Sequence, residues 1–355
     1  MVTDAPATTR RGSPLIAWAA GGAASLALLV ASFRDVNLDR VVSLLGGLGF
    51  WTPLLVLPSF AALVLESHAW QAGLGLAGHR PRLVPLLGVR VASESIGGVL
   101  PLGAVWADAL KPSLLSTRCG LPMPAGVAAI AIRKYLLVLS QAGYLALAFI
   151  LGHEALRRGF SHATGMPALS LVAPIAACAL AGVATTMAAL LGRGGAFRGL
   201  VDRLAASRLR FVADRATRLR LGALGTDDVA SAFFRTPWHE RARPVFVCLA
   251  AWLCEATETW LVLRALGAGL EWGDAVGVEA LVVLSRHLLP FLPGGLGVQE
   301  LGYTALLAGV GCDVERAASL VVLKRLREAT WIAVGALVLT GAGSRWARER
   351  MPVTA

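Results

Sequence analysis

Uncharged apolar runs about as long as a bilayer is thick constrain this chain more than any other feature. Pro14 to Phe33, Gly46 to Leu65 and Gly165 to Gly192 contain no Asp, Glu, Lys or Arg. Roughly 20 helical residues cross the ~30 Å hydrocarbon layer, so each run reads as a spanning helix. Composition agrees: 56% of residues are hydrophobic, only 15% are charged, and the mean hydropathy is +0.66, outside the range of soluble domains. The expected fold class is all-α and polytopic. The start, with its Arg-Arg pair and an apolar stretch lacking a small-residue cleavage site, reads as an uncleaved anchor. The cysteines at 119, 178, 248, 254 and 312 form no CxxC pair and read as packing residues, so no metal or cofactor is implied.

Basic residues mark the cytoplasmic side of a membrane protein. Residues 192–243 carry eleven arginines against five acidic residues, and the tail after 343 is also basic. The link from Gly267 to Asp274 carries only acids and fits the opposite side. Three apolar stretches lie between the arginine-rich segment and the tail, which is one crossing too many unless the middle one turns back at "PGGLG". The stretch "VASESIGGVLPLGAVWADALK" poses the same problem between two basic links. Non-helical backbone at membrane depth is tolerated only where protein or a wet cavity satisfies it. Six crossings are therefore expected, near 14–33, 44–65, 123–151, 166–191, 244–266 and 317–342. Two re-entrant helical hairpins, within 85–110 and 276–311, would enter from opposite faces. Both termini would lie in the cytoplasm of a bacterial inner (plasma) membrane.

The chain also resembles itself. An ungapped shift of 192 residues places Leu100, Pro101 and Gly103 on Leu292, Pro293 and Gly295, and Asp108 on Glu300. It also pairs Glu66 with Glu258, Ser93 with Ser285, Arg133 with Arg325, and Gly143 with Gly335. The reading is one integral-membrane domain over 1–355, with a first repeat over 44–151, a cytoplasmic Arg-rich amphipathic segment over 192–243 and a second repeat over 244–342. Within that segment Phe197, Leu200, Leu204 and Val212 recur at near-helical spacing, as in a helix lying on an anionic leaflet. Inverted repeats with broken helices meeting near the midplane are a transporter architecture.

Ionic residues sit where hydrocarbon penalises them by about 2.5–3.5 kcal/mol each. Around the hairpins they are Arg90, Glu94, Asp108, Arg286 and Glu300, with Gln299 beside them; on the flanking crossings they are Arg133, Lys134, Glu255, Glu258, Lys324, Arg325, Arg327 and Glu328. All of these except Lys134 and Glu255 join the break residues Pro101, Gly103, Pro293, Gly294, Gly295 and Gly297 in the candidate substrate-binding set. One reading is a cavity whose arginines hold an anionic head group. The other is snorkelling, or salt bridges that only fix the fold. Glu300 and Asp108, one turn past a break, are expected at the cavity wall.

The runs "FLPGGLGVQELGYTALL" and "LVVLKRLREATWI" resemble the flippase-like transmembrane family of lysylphosphatidylglycerol synthases, particularly its hopanoid-biosynthesis branch. Pro293 to Glu300 with Gly302 and Tyr303, and then Ser319, Leu320, Lys324, Arg325, Arg327 and Glu328, match that branch's two patterns. Leu301 departs from the first of its paired glycines, and Arg133-Lys134 stands where many members carry Glu-Arg. The resemblance implies a lipid flippase or transporter moving a polar-headed lipid of hopanoid or aminoacyl-phospholipid type by alternating access. Two alternatives remain: a non-transporting partner in a lipid-synthesis complex, and an integral-membrane head-group transferase. No H-E-x-x-H, G-x-S-x-G or phosphate-loop motif supports the latter, so no enzymatic activity is expected. The expected partners are membrane lipids and lipid-biosynthesis enzymes, not nucleic acid.

Overall fold

A computed structural model describes residues 14–49, 52–100, 102–207, 210–288 and 292–350, and the described residues are helical or form short connections. Pro14–Phe33 is α1, Leu38–Leu48 α2, Thr52–Leu55 α3 and Leu57–Leu76 α4. Then come α5 (Leu83–Val99), α6 (Gly103–Cys119) and α7 (Met123–Leu151). The central elements are α8 (His153–Thr164), α9 (Val172–Gly192), α10 (Ala196–Ala205) and α11 (Arg210–Arg235). The chain closes with α12 (Trp238–Ala265), α13 (Trp272–Leu288), α14 (Val298–Gly309) and α15 (Val314–Arg350). Thr52–Leu76, Met123–Leu151, Pro167–Gly192 and Trp238–Ala265 are each long and apolar enough to cross a bilayer. The protein is an all-α polytopic membrane protein. Large side chains such as Ile150, Ile175, Phe246 and Leu337 are exposed on it, as helices facing acyl chains require.

Helix α15 serves as a ruler for both hairpins. Near its start, Arg316 Nε donates to Leu266 O at 2.8 Å, at the level where α13 begins. Further along, Arg325 reaches the break between α13 and α14, donating to Gly294 O at 3.1 Å. Ile332 then lies against Gly98, next to the other break, and Gly335 against Val91 and Ser95. Finally Val338 O accepts from Arg118 Nη2 at 2.5 Å, where α6 ends. Residues 316 to 338 span about 33 Å of helix. Hairpin α13–α14 thus enters beside one end of α15, hairpin α5–α6 beside the other, and their tips meet between: a Cβ on Gly294 would lie 3.0 Å from Gly98 O.

The two breaks use the same backbone device. Leu102 has φ 54° and Gly294, 192 positions later, has φ 55°. Leu102 is the one described residue other than glycine with positive φ, a conformation that costs about 1–3 kcal/mol when a Cβ is present. Gly103 allows the arms of the first hairpin to touch, since a Cβ there would fall 1.8 Å from Gly97 O.

Two expectations are corrected. The crossing placed at 44–65 is broken: α2 ends at Leu48, Gly49 has φ 49°, and the apolar span runs over Thr52–Leu76. That span carries Glu66 and His68 inside it, because Glu66 finds cationic partners there. Between α7 and α9 the structure adds α8, on which no expectation was placed and in which Gly159 packs against Gly309 and Leu306 of α14. The amphipathic stretch from Phe197 onward is not one helix but α10 and α11 packed together, with the Asp227 carboxylate accepting the Phe197 and Arg198 backbone N–H groups at 2.9 Å. Leu200 and Leu204 are exposed on it; the side chain of Val212 lies outside the described residues.

Candidate functional site

Buried ionic groups gather in two clusters, one per hairpin. Helix α5 brings Arg90 against Glu66 of α4 and places it 3.2 Å from Glu94. From α7, Arg133 Nη2 reaches both acids, at 2.8 Å from Glu66 and 2.9 Å from Glu94. On α6, Asp108 lies 2.7 Å from Lys111 and 2.8 Å from Lys134. Pairing of this kind compensates the loss of hydration that a lone charge would suffer.

In the second cluster α15 supplies the cations. Arg327 bridges Glu255 (2.8 Å) and Glu258 of α12. Lys324 sits 3.0 Å from Glu279 of α13 and 3.8 Å from Glu258. The Tyr303 hydroxyl donates to Glu279 at 2.7 Å and Thr259 does so at 2.6 Å. Arg325 pairs with Glu300 (2.6 Å) and Glu328 (2.5 Å) and donates to the carbonyls of Gly294 and Gly295. Gln299 Nε2 also donates to Gly294 O, at 3.1 Å. The broken backbone is therefore satisfied by protein, as its depth demands. Positive φ at Gly294, Gly295 and Gly297 lets those carbonyls turn toward Arg325 without a Cβ penalty.

The structure thus brings together Arg90, Glu94, Asp108 and Arg133 in one cluster, and Glu258, Gln299, Glu300, Lys324, Arg325, Arg327 and Glu328 in the other. Glu300 does not line an open wall. It is 0% exposed, with one carboxylate oxygen on Arg325 and the other accepting the Gly297 N–H at 2.7 Å. Arg286 lies at the edge of the second cluster: it is exposed, packs its stem on Gly295, and acts electrostatically on Glu255 and Glu328 without a hydrogen bond or ion pair to another described residue. Pro101 lies outside the described residues, and Pro293 opens a 3-10 turn. A groove of about 500 Å³ between α4 and α12, lined by residues such as Leu65, His239, Arg243 and Phe246, contains none of the candidate residues.

The sequence-derived set left out Glu66, Lys111, Lys134, Glu255 and Glu279, which the structure places in the two clusters. Glu66 was signalled by its pairing with Glu258 at the 192-residue offset. Glu279 interrupts an apolar run within a hairpin, the same signal that identified Arg286. All three lysines of the chain, 111, 134 and 324, belong to these clusters.

A family model described as the lysylphosphatidylglycerol synthase TM region matches residues 18–337. No curated protein matches the chain.

Proposed function

This chain belongs to the lysylphosphatidylglycerol synthase TM-region family, and we propose from that premise that it moves a polar-headed lipid across a bacterial inner membrane by alternating access. The lipid, of hopanoid or aminoacyl-phospholipid type, would cross chemically unchanged, and both termini would lie in the cytoplasm. One observation carries this reading: two broken helical hairpins approach from opposite ends of α15 and touch at Gly98 and Gly294. Such a contact is a gate between two half-pathways, because rocking one half against the other opens it toward one face at a time. The test uses proteoliposomes containing this protein alone and a labelled phospholipid scored by an impermeant quencher. Val99→Cys with Leu296→Cys, both exposed beside the contact, is built in a background lacking the native cysteines. Lipid movement is expected in the reduced protein, with loss of at least about nine-tenths of it once a short bifunctional thiol reagent ties the tips. Undiminished movement after complete crosslinking contradicts the gate.

A second reading, a non-transporting partner that organises lipid-synthesis enzymes, is favoured by the internal pairing of most ionic groups, as in a structural clamp. It expects no lipid movement in the same proteoliposomes.

A further inference from the structure

We propose that the first cluster, on the α6–α7 side, binds the phosphate of a lipid headgroup, with Lys134 as its principal contact and Arg133 behind it. The inference rests on the lipid-handling reading above and adds the chemistry of what is held. Charge carries it first. Among the described residues the first cluster has four cations, Arg90, Lys111, Arg133 and Lys134, for three carboxylates, Glu66, Glu94 and Asp108. The surplus is local to Asp108, whose single carboxylate serves two lysines. The second cluster leans the other way, with five carboxylates to three paired cations.

An independent observation concerns Arg133. Its side chain is 8% exposed, yet its Nε is buried with no hydrogen-bond partner among the described residues. A guanidinium donor buried without an acceptor is costly unless an anion or water completes it. Access differs in degree as well. Lys134 and Glu94 are each 41% exposed, whereas the most exposed paired group of the second cluster, Glu255, is 26% exposed. Beside that opening the hairpin tip exposes Leu102, Val105 and Trp106, with Val105 one helical turn before Asp108. An anionic head at Lys134 would thus have an apolar surface for its chains, which a free phosphate does not need.

Full-length protein in phosphatidylcholine nanodiscs is titrated with short-chain phosphatidylglycerol, short-chain diacylglycerol and inorganic phosphate. Phosphatidylglycerol is expected to bind at least tenfold more tightly than either of the others. Lys134→Gln is expected to lose about tenfold or more of that affinity, Lys134→Arg to retain most of it, and Arg193→Gln, on the exposed arginine-rich side, to match the parent. Thermal melts show whether each variant is folded, and Lys134→Met, with the same expected loss, is read in its place if Lys134→Gln is not. No binding by the parent, equal affinity for diacylglycerol or inorganic phosphate, or unchanged affinity in a folded Lys134→Gln overturns the site. Selective binding without lipid movement in proteoliposomes keeps the site and removes the transport reading. Movement with binding unaffected by Lys134→Gln removes the site alone.

Discussion

Lys324 illustrates how a single residue is held at membrane depth. It touches Glu258 and Glu279 and lies over the Tyr303 ring, so its ammonium group exchanges water for fixed partners. Glu279→Ala should therefore destabilise the protein by about 3–5 kcal/mol, because it removes the nearest acid from the buried Lys324. The double variant Glu279→Met with Lys324→Met should recover part of that loss, the Tyr303 hydroxyl still lacking its acceptor. Thermal unfolding followed by tryptophan fluorescence measures both; a double variant no more stable than the single one would show that the pair does more than neutralise itself. The ionic residues were legible in the sequence wherever they interrupted apolar runs near a break, since hydrocarbon tolerates few of them. Glu279 escaped because its partner at the 192-residue offset is Leu87, so comparing the chain with itself is blind to it. How the charges pair between helices was not legible, because partners 24 to 72 residues apart meet only once the helices pack.

Among the helices, small residues set the closest approaches. A Cβ on Gly335 of α15 would lie 2.4 Å from Val91 O and 2.6 Å from the Ser95 side chain, whereas one on Gly143 of α7 meets nothing within 4 Å. These glycines correspond at the 192-residue offset yet sit in opposite surroundings. Gly335→Ala is expected to force α15 away from α5 and to cost about 1–3 kcal/mol. Gly143→Ala should stabilise by up to about 1 kcal/mol through helix propensity. Equal thermal midpoints for the two variants would contradict the packing described. Hydropathy identified most of the crossings but misplaced the second, because it averages over "LLGGLGFWTPLLVL" and does not register the break at Gly49 or the restart at Thr52-Pro53. Helix α8 went unread because its apolar face is short, with only Ala155, Leu156 and Gly159 buried.

At the scale of the whole molecule, the contacts put the two hairpin bases at opposite ends, as the charge distribution leads one to expect. Helix α11 packs against the start of α7, with Thr226 donating to Pro124 O at 3.3 Å, so the arginine-rich segment shares a face with the base of hairpin α5–α6. The base of hairpin α13–α14 lies at the other end, where the end of α7 meets Gly273. Matching signs of charge on each face made this arrangement readable before any coordinates, whereas the contact between the tips depended on packing. Labelling of single cysteines at Ser113 and Glu271, both exposed at the hairpin bases, tests the opposed entry most directly. In intact cells an impermeant thiol reagent should modify Glu271→Cys readily and Ser113→Cys only after the membrane is permeabilised. Equal modification of both from outside would place the hairpins on one face and contradict the account.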